Sequence, residues 1–251
     1  RLAEELELRV QQRTKDLEDS NQALQRFAYI ASHDLKTPLR TIVSLLSLIR
    51  RKIKSFKDVE LEELMRMTSA GATRMTSMID SLLTFARVNS SIQPIESQEI
   101  SLEAVVGSIR ENLGNIEINK PLPILSSSLP VVSGNEVKLY QLFQNLITNG
   151  LKYNNSAEPM VEIKAKPQSG DYHLIQVVDN GIGIDEEFHD SVFEMFTRLH
   201  SSVDYEGTGI GLALSKLIVE QHGGNIWIEA NPTGGTVFCF TLPKTTRGNL
   251  S

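Results

Sequence analysis

The chain has 251 residues, 40% hydrophobic and 22% charged, a globular composition with room for about two domains. Its longest apolar stretch, TIVSLLSLI, contains two serines and is half the length a membrane helix needs. The net charge of −6 gives no electrostatic basis for binding nucleic acid, and the single cysteine, Cys239, excludes an intrachain disulfide and fits a reducing, cytoplasmic compartment.

The chain begins at Arg1 with no methionine and no signal peptide, so it reads as a piece of a longer protein. A sensor module, and any membrane attachment, would lie in parts outside it. Its character changes near residue 90. Before that point there is no strand pattern and one proline, Pro38; after it come eight prolines, glycine-rich turns and alternating strands.

Leu6, Val10, Arg13, Leu17, Ser20, Leu24, Phe27 and Ala31 form a heptad seam with two polar intrusions. Leu35, Leu39, Ile42, Leu46, Ile49 and Ile53 continue it, but the register slips by one residue at His33, which should locally alter a supercoil. The basic run from Ile49 to Lys57 complements the negative end of that helix, with a regulator-docking surface as the alternative reading. Asp58 suits the N-cap of a second helix with Glu60, Glu62 and Glu63 in its first turn. That helix has the seam Leu61, Leu64, Thr68, Ala72, Met75, Ile79, Leu82 and Ala86. Two such helices make an antiparallel hairpin that cannot bury both seams alone, and dimerisation into a four-helix bundle is the simplest remedy.

In this frame His33 points away from the core. Asp34 can hydrogen-bond its imidazole, and Pro38 offers no N–H to the carbonyl of Asp34, so the helix can bend there. An exposed, oriented imidazole at a deformable point suits a nucleophile.

Farther on, LYQLFQNLITNGLKYN reads as a helix with Leu139, Leu142, Phe143, Leu146 and Ile147 on its apolar face. Asn145, Asn149 and Lys152 share another face. Amide oxygens are hard ligands suited to Mg²⁺, and the ammonium suits phosphate. YHLIQVVDNGIGID is a strand ending at Asp179, whose carboxylate could accept a bond from an exocyclic amine such as that of adenine, with Gly181 and Gly183 leaving room for a flat ring. Gly207, Gly209 and Gly211 then open a helix, an arrangement that offers free N–H groups to phosphate. Trp227 alternates with Ile226 and Ile228, which places it on the outer or partner face of a sheet rather than stacked on a ligand.

Together these segments resemble the sensor histidine kinases of two-component signalling. SHDLKTPLR resembles the H box, NLITNGLKYN the N box, DNGIGID and GTGIGLAL the two glycine boxes, and FEMF the F box, in family order over nearly the whole chain. The resemblance implies a hairpin that pairs into a dimeric four-helix bundle, followed by an α/β sandwich ATP-binding domain of the Bergerat (GHKL) type. Residues 1–26 would be a coiled-coil signalling helix, 27–90 the dimerisation and phosphotransfer hairpin, 91–98 a linker, 99–245 the catalytic domain and 246–251 a disordered tail.

It further implies ATP-dependent phosphorylation of His33 and transfer to an aspartate of a response regulator. Asp34 would orient the imidazole, and Thr37 matches the position that places water in kinases with phosphatase activity. Asn149 would bind Mg²⁺ with Asn145 in support. Lys152, Tyr153, Asp179, Gly181, Gly183, Arg198, Gly207, Thr208, Gly209, Gly211 and Leu212 would surround ATP. Residues 195–207 would form the ATP lid. Two departures stand out. Gly150 replaces the usual alanine, which weakens a helix by about 1 kcal/mol, and Met195 replaces the usual proline of the F box, which puts lid anchoring in question. The competing readings are a stand-alone GHKL-type ATPase, a dimeric nucleotide-binding scaffold without catalysis, and a purely structural coiled coil. The last leaves residues 99–243 unexplained.

Overall fold

The computed structural model describes residues 35–36, 39–49, 51, 59–90, 98–114, 124–166, 170–199, 207–232 and 234–245. The heptads of residues 6–31, the slip at His33, the bend at Pro38 and the cap at Asp58 lie outside the described residues, as do His33, Asp34 and Thr37 themselves. The chain divides into two compact units, Arg1–Ser91 and Ile92–Ser251.

In the first unit, helix α1 (residues 39–49) pairs with the long helix α2 (Val59–Ser90). Leu39, Ala72 and Ile79 form a small buried cluster, with Val43 and Leu83 packed against it. Lys36 forms an ion pair with Asp80. The seam expected from sequence is only half used inside the hairpin. Ala72 and Ile79 are buried, whereas Ile42, Ile49, Leu64 and Met75 are 43–56% exposed. Each helix has an apolar stripe wider than one antiparallel partner can cover, and the surplus stays outside.

The second unit is an α/β sandwich. A two-stranded antiparallel sheet pairs β1 (Gln98–Ser101) with β3 (Val131–Gly134). The main sheet contains β2 (Ile124–Ser127), β4 (Val161–Lys166), β5 (Tyr172–Asp179), β6 (Ile226–Ala230) and β7 (Thr236–Pro243), in the order β2-β4-β5-β7-β6. Only β2 and β4 run parallel; the other neighbours are antiparallel. Helices α3 (Leu102–Gly114), α4 (Glu136–Lys152) and α5 (Gly211–Gln221) form the other layer, with α4 touching both α3 and α5.

Period-2 alternation sorts the strand residues. Ile163, Val177, Phe238 and Ile228 stand in one cross-strand row, and Ala165, Ile175, Phe240 and Ile226 in another, on the face that meets the helices. From α4 come Leu139, Leu142, Phe143, Leu146 and Ile147, all fully buried. Each such side chain contributes about 1.5–3 kcal/mol on leaving water. Phe143 meets Phe240 edge to face at 5.6 Å. Trp227 lies in the opposite-face row with Cys239 and Gln176, and its Nε1–H donates to Glu229 Oε1 at 3.1 Å. Burial pushes the Cys239 thiol up to about 11, which keeps it protonated.

Helices α4 and α5 are tied at both ends of α5, to the start and to the middle of α4. At one end His222, which caps the C-terminus of α5, has Nδ1 2.7 Å from the Ile218 carbonyl. A carbonyl only accepts, so Nδ1 carries the proton and Nε2 accepts the Asn135 N–H at 3.2 Å. Asn135 is the N-cap of α4, its side chain accepting from the Lys138 N–H at 3.0 Å. At the other end Asn145 Nδ2 donates to the Gly211 carbonyl at 3.2 Å.

Burial, and secondarily the charge of Lys138, hold the His222 pKa below its ordinary value. A histidine kept neutral by folding contributes stability fully above its unfolded pKa, about 6.5, and loses it as pH falls toward the folded value. We therefore expect the urea midpoint to fall between pH 7.5 and 5.5, and His222→Gln to lose part of that slope. The variant should also be about 1–3 kcal/mol less stable at pH 7.5, because the Asn135 N–H loses its buried acceptor. His173, also held low by partial burial and Lys244, titrates in both proteins and cancels in the difference.

Candidate functional site

The site is organised around Asp179, the last residue of β5, which is 6% exposed. Its Oδ1 accepts the Gly181 N–H at 2.9 Å and the Thr236 N–H at 3.0 Å. Burial raises its pKa, and the bonds from Gly181 and Thr236 oppose the rise. A carboxylate in this setting is oriented by backbone and cannot swing away.

Three segments converge on it at distances that only glycine allows. A Cβ on Gly181 would lie 2.3 Å from the Tyr153 carbonyl oxygen, which already accepts the Ile182 N–H at 3.0 Å. On Gly235, where φ is +86°, a Cβ would lie 2.1 Å from the Asp179 carbonyl oxygen. That oxygen also accepts from Asn231 Nδ2 at 3.2 Å. Asn180 clamps the loop after α4, its Oδ1 accepting from Asn154 Nδ2 and from the Met160 N–H, both at 2.8 Å. The start of the second glycine box arrives from the other side. A Cβ on Gly207 would stand 3.0 Å from Lys152 Nζ and 3.3 Å from the Tyr153 hydroxyl.

The polar stripe of α4 faces this convergence. Lys152 Nζ is 3.3 Å from the Tyr153 hydroxyl and 4.6 Å from the centre of its ring, a cation–π contact. The Asn145 amide nitrogen is engaged by Gly211, the first residue of α5. The half-buried Asn149 side chain makes no hydrogen bond among the described residues. Helix α5 begins without a side-chain cap, so its first N–H groups and positive dipole end face the glycine loop. Thr208 and Leu212 are half-buried on either side of Gly209 and Gly211.

Of the expected lid, residues 200–206 lie outside the described residues. Its base is a tight turn in which the Thr197 N–H donates to the Glu194 carbonyl at 3.4 Å and Phe196 has φ +67°. This resembles a type II turn, whose first central position, here Met195, favours proline. The turn closes without one. The Phe196 N–H then donates to the Gly209 carbonyl at 2.8 Å, joining the two ends of the segment. Arg198 follows two residues later and is half-buried.

The structure thus brings Asn145, Asn149, Lys152, Tyr153, Asp179, Gly181, Gly183, Gly207, Thr208, Gly209, Gly211 and Leu212 to one region of the second unit. Sequence reasoning missed Gly235 and Thr236, which hold Asp179 from the β7 side. The glycine pair at 234–235 was visible, but its proximity to a strand end more than fifty residues earlier was not.

Two family models match the chain. One, described as the His Kinase A (phospho-acceptor) domain, matches residues 23–91. The other, described as a histidine kinase-, DNA gyrase B-, and HSP90-like ATPase, matches residues 134–246. The phytochrome-like protein Cph1 of Synechocystis is 37% identical over 243 residues, covering 97% of this chain and 32% of that protein. Cyanobacterial phytochrome B of Nostoc is 39% identical over 234 residues, covering 90% of this chain and 30% of that protein. The chain therefore spans about a third of the length of these relatives. Among solved structures, full-length ShkA in complex with AMPPNP superposes with a TM-score of 0.62 at 21% identity, covering 86% of this chain and 45% of that one. The Acinetobacter baumannii histidine kinase AdeS gives 0.56 at 20% identity, covering 85% and 98%. At such identities the likeness establishes the fold.

The glycine geometry sets a stability contrast. Gly235→Ala introduces a Cβ into occupied space at positive φ and should cost at least about 2 kcal/mol. Gly170→Ala, also at positive φ but with nothing within 4 Å, should cost only about 1 kcal/mol, the backbone part alone. Urea denaturation of the two variants checks this, and equal losses would show that the approach to Asp179 is not tight.

Proposed function

The chain belongs to the sensor histidine kinases, joining their phospho-acceptor and ATPase domains, and from that premise we propose that it phosphorylates His33 with ATP and passes the phosphoryl group to an aspartate of a response-regulator receiver domain. The observation that carries this reading is the convergence of the Asp179 carboxylate, the α4 stripe and the uncapped start of α5. It offers an acceptor for an exocyclic amine, an amide and an ammonium for a polyphosphate, and free backbone donors, all in one region.

In this reading Asp179 accepts the 6-amino group of adenine. Tyr153 flanks the nucleotide, and Lys152, with Thr208, Gly209 and the first N–H groups of α5, takes the phosphates. Gly181, Gly183 and Gly207 let the nucleotide approach the backbone, with Arg198 and Leu212 at its margin. Asn149 fits Mg²⁺: its amide is not engaged among the described residues, and this ion takes one or two protein ligands beside phosphate oxygens and water. Asn145, one turn earlier on α4 and bonded to the Gly211 carbonyl of α5, supports it. The ion would neutralise charge on the β- and γ-phosphates. A ring nitrogen of His33 attacks the γ-phosphorus in line, the bond to the β,γ-bridging oxygen breaks, and ADP leaves. Asp34 orients the imidazole and draws off its proton. Catalysis of such a step is mainly position and charge neutralisation. Thr37 would place water in a phosphatase reaction on the phosphorylated regulator.

We further propose that the hairpin of residues 27–90 dimerises, with residues 1–26 carrying the signal into it and residues 91–98 linking it to the catalytic domain, 99–245. Leu35, Ile42, Leu45, Ile49, Leu64 and Met75 are each at least 43% exposed, an apolar face that a second hairpin would cover. Among the described residues no helix is long and apolar enough to cross a membrane.

The decisive test is incubation with γ-labelled ATP and Mg²⁺. Label on the protein that is acid-labile and base-stable marks phosphohistidine. Label released as free phosphate indicates the stand-alone ATPase, and binding without turnover indicates the scaffold. His33→Gln should abolish labelling while nucleotide affinity stays within about twofold, the acceptor and the nucleotide residues being in different units. Asn149→Asp should lower labelling by about two orders of magnitude with the fold intact, because a carboxylate beside polyphosphate changes both charge and metal geometry. Near-normal labelling of the Asn149 variant would exclude it as the metal ligand.

A further inference from the structure

An asparagine between a strand end and a glycine usually serves the turn itself, because asparagine tolerates the left-handed backbone. Asn180 does not: among the described residues only Ser128 and Phe196 have positive φ apart from glycines. Its side chain is engaged elsewhere. Oδ1 accepts from Asn154 Nδ2 and from the Met160 N–H, both at 2.8 Å. Nδ2 donates to the Glu158 carbonyl at 2.9 Å and to Ser156 Oγ at 3.4 Å. A primary amide can accept two bonds and donate two. All four are made here, and all go to residues 154–160.

That loop has no apolar anchor. None of residues 154–160 is buried, so hydrophobic packing does not hold it in place. Its remaining polar ties run through the same side chains: Asn154 Oδ1 accepts the Ser156 N–H at 2.9 Å, and Asn154 Nδ2 also reaches the Gly150 carbonyl of α4 at 3.2 Å. The loop begins directly after Tyr153, the C-cap residue of α4, and ends at Val161, which faces Asp179 in register. The turn after β5 therefore grips the exit of α4 twice. One grip is the Ile182 N–H on the Tyr153 carbonyl at 3.0 Å, a backbone bond open to almost any sequence. The other, on residues 154–160, needs a group at position 180 that both accepts and donates, as an amide does.

We propose that Asn180 is a positioning residue for nucleotide recognition: by fastening the chain that leaves α4 to the turn after β5, its amide fixes the Tyr153 ring relative to the Asp179 carboxylate. The proposal rests on the reading of Tyr153 as the residue that flanks the nucleotide. Asn180 acts through Tyr153 and requires no contact with the nucleotide.

The test is a double-mutant cycle on the whole chain. Calorimetry measures affinity for the Mg²⁺ complex of the β,γ-imido analogue of ATP and, as a control without base or ribose, for Mg²⁺ tripolyphosphate. Tyr153→Ala should weaken binding of the analogue about tenfold, and Asn180→Ala about fivefold, with tripolyphosphate affinity of the Asn180 variant unchanged within about twofold. In the Tyr153→Ala background, Asn180→Ala should weaken the analogue by no more than about twofold further, because the ring it positions is gone. Losses that multiply in the double variant overturn the route through Tyr153. Unchanged affinity in Asn180→Ala, or an equal fall for tripolyphosphate, overturns the positioning role and leaves a merely structural one. If Tyr153→Ala binds the analogue normally, the reading of Tyr153 fails, and the proposal with it. Should a thermal melt show that Asn180→Ala does not fold, Asn180→Asp, which keeps both accepted bonds and loses both donated ones, takes its place in the cycle.

Discussion

The two backbone N–H groups that hold Asp179 Oδ1 are the constraint on which the site depends. They come from opposite sides in sequence, Gly181 just after the carboxylate and Thr236 at the start of β7. A buried carboxylate needs such donors to remain usable, because burial alone drives it toward the neutral form. Supplying them forces the turn after β5 and the turn before β7 into contact. That contact excludes a side chain at Gly235, and the Tyr153 carbonyl at the end of α4 excludes one at Gly181, so both glycines serve close approach to the acceptor rather than any demand for flexibility.

The same reasoning orders the helices. The α4 stripe is useful only if α4 keeps one register against β5 and α5, and hydrophobic burial by itself is non-directional. The polar ties supply the direction. His222 fixes Asn135 at the start of the helix, Lys138 Nζ reaches Gln221 at 2.9 Å, and Asn145 holds the opening of α5. Replacing any apolar residue of α4 would lower stability broadly, whereas these few bonds decide where Asn149 and Lys152 stand.

Much of this was legible in the sequence where one element carries the whole signal. The apolar face of α4 follows from 3.6-residue periodicity, and Leu139, Leu142, Phe143, Leu146 and Ile147 are buried as that period requires. Trp227 sits on the outer row because a strand alternates. Legibility fails where two distant segments must meet. Nothing in NPTGGT announces that Gly235 will touch Asp179. A glycine that permits a turn and a glycine that permits a close approach look the same in sequence. The hairpin seam fails for another reason. A heptad marks an apolar stripe but not which edge meets the partner within the hairpin, so Leu64 and Met75 were expected inward beside Ala72 and are exposed.

The polar groups that stay out of this internal network are the most informative. Asn180, Asn135 and Asn154 lie in the same unit, and all spend their side chains on backbone or on one another. Asn149 sits half-buried among them without a hydrogen bond to any described residue. Leaving a partly desolvated amide unpaired costs about 1–3 kcal/mol where water cannot reach it. With those three asparagines engaged and this one open, Asn149 is the amide that the proposed function assigns to a ligand. The same holds for the start of α5: an N-cap serine or aspartate would stabilise the helix by about 1 kcal/mol, and Ile210 stands there instead, with no side-chain cap bond. An unengaged amide on α4 and an uncapped dipole end on α5, held side by side by the bond from Asn145 to Gly211, leave a gap in the polar network, and it is there that the proposed function seats the metal and the polyphosphate.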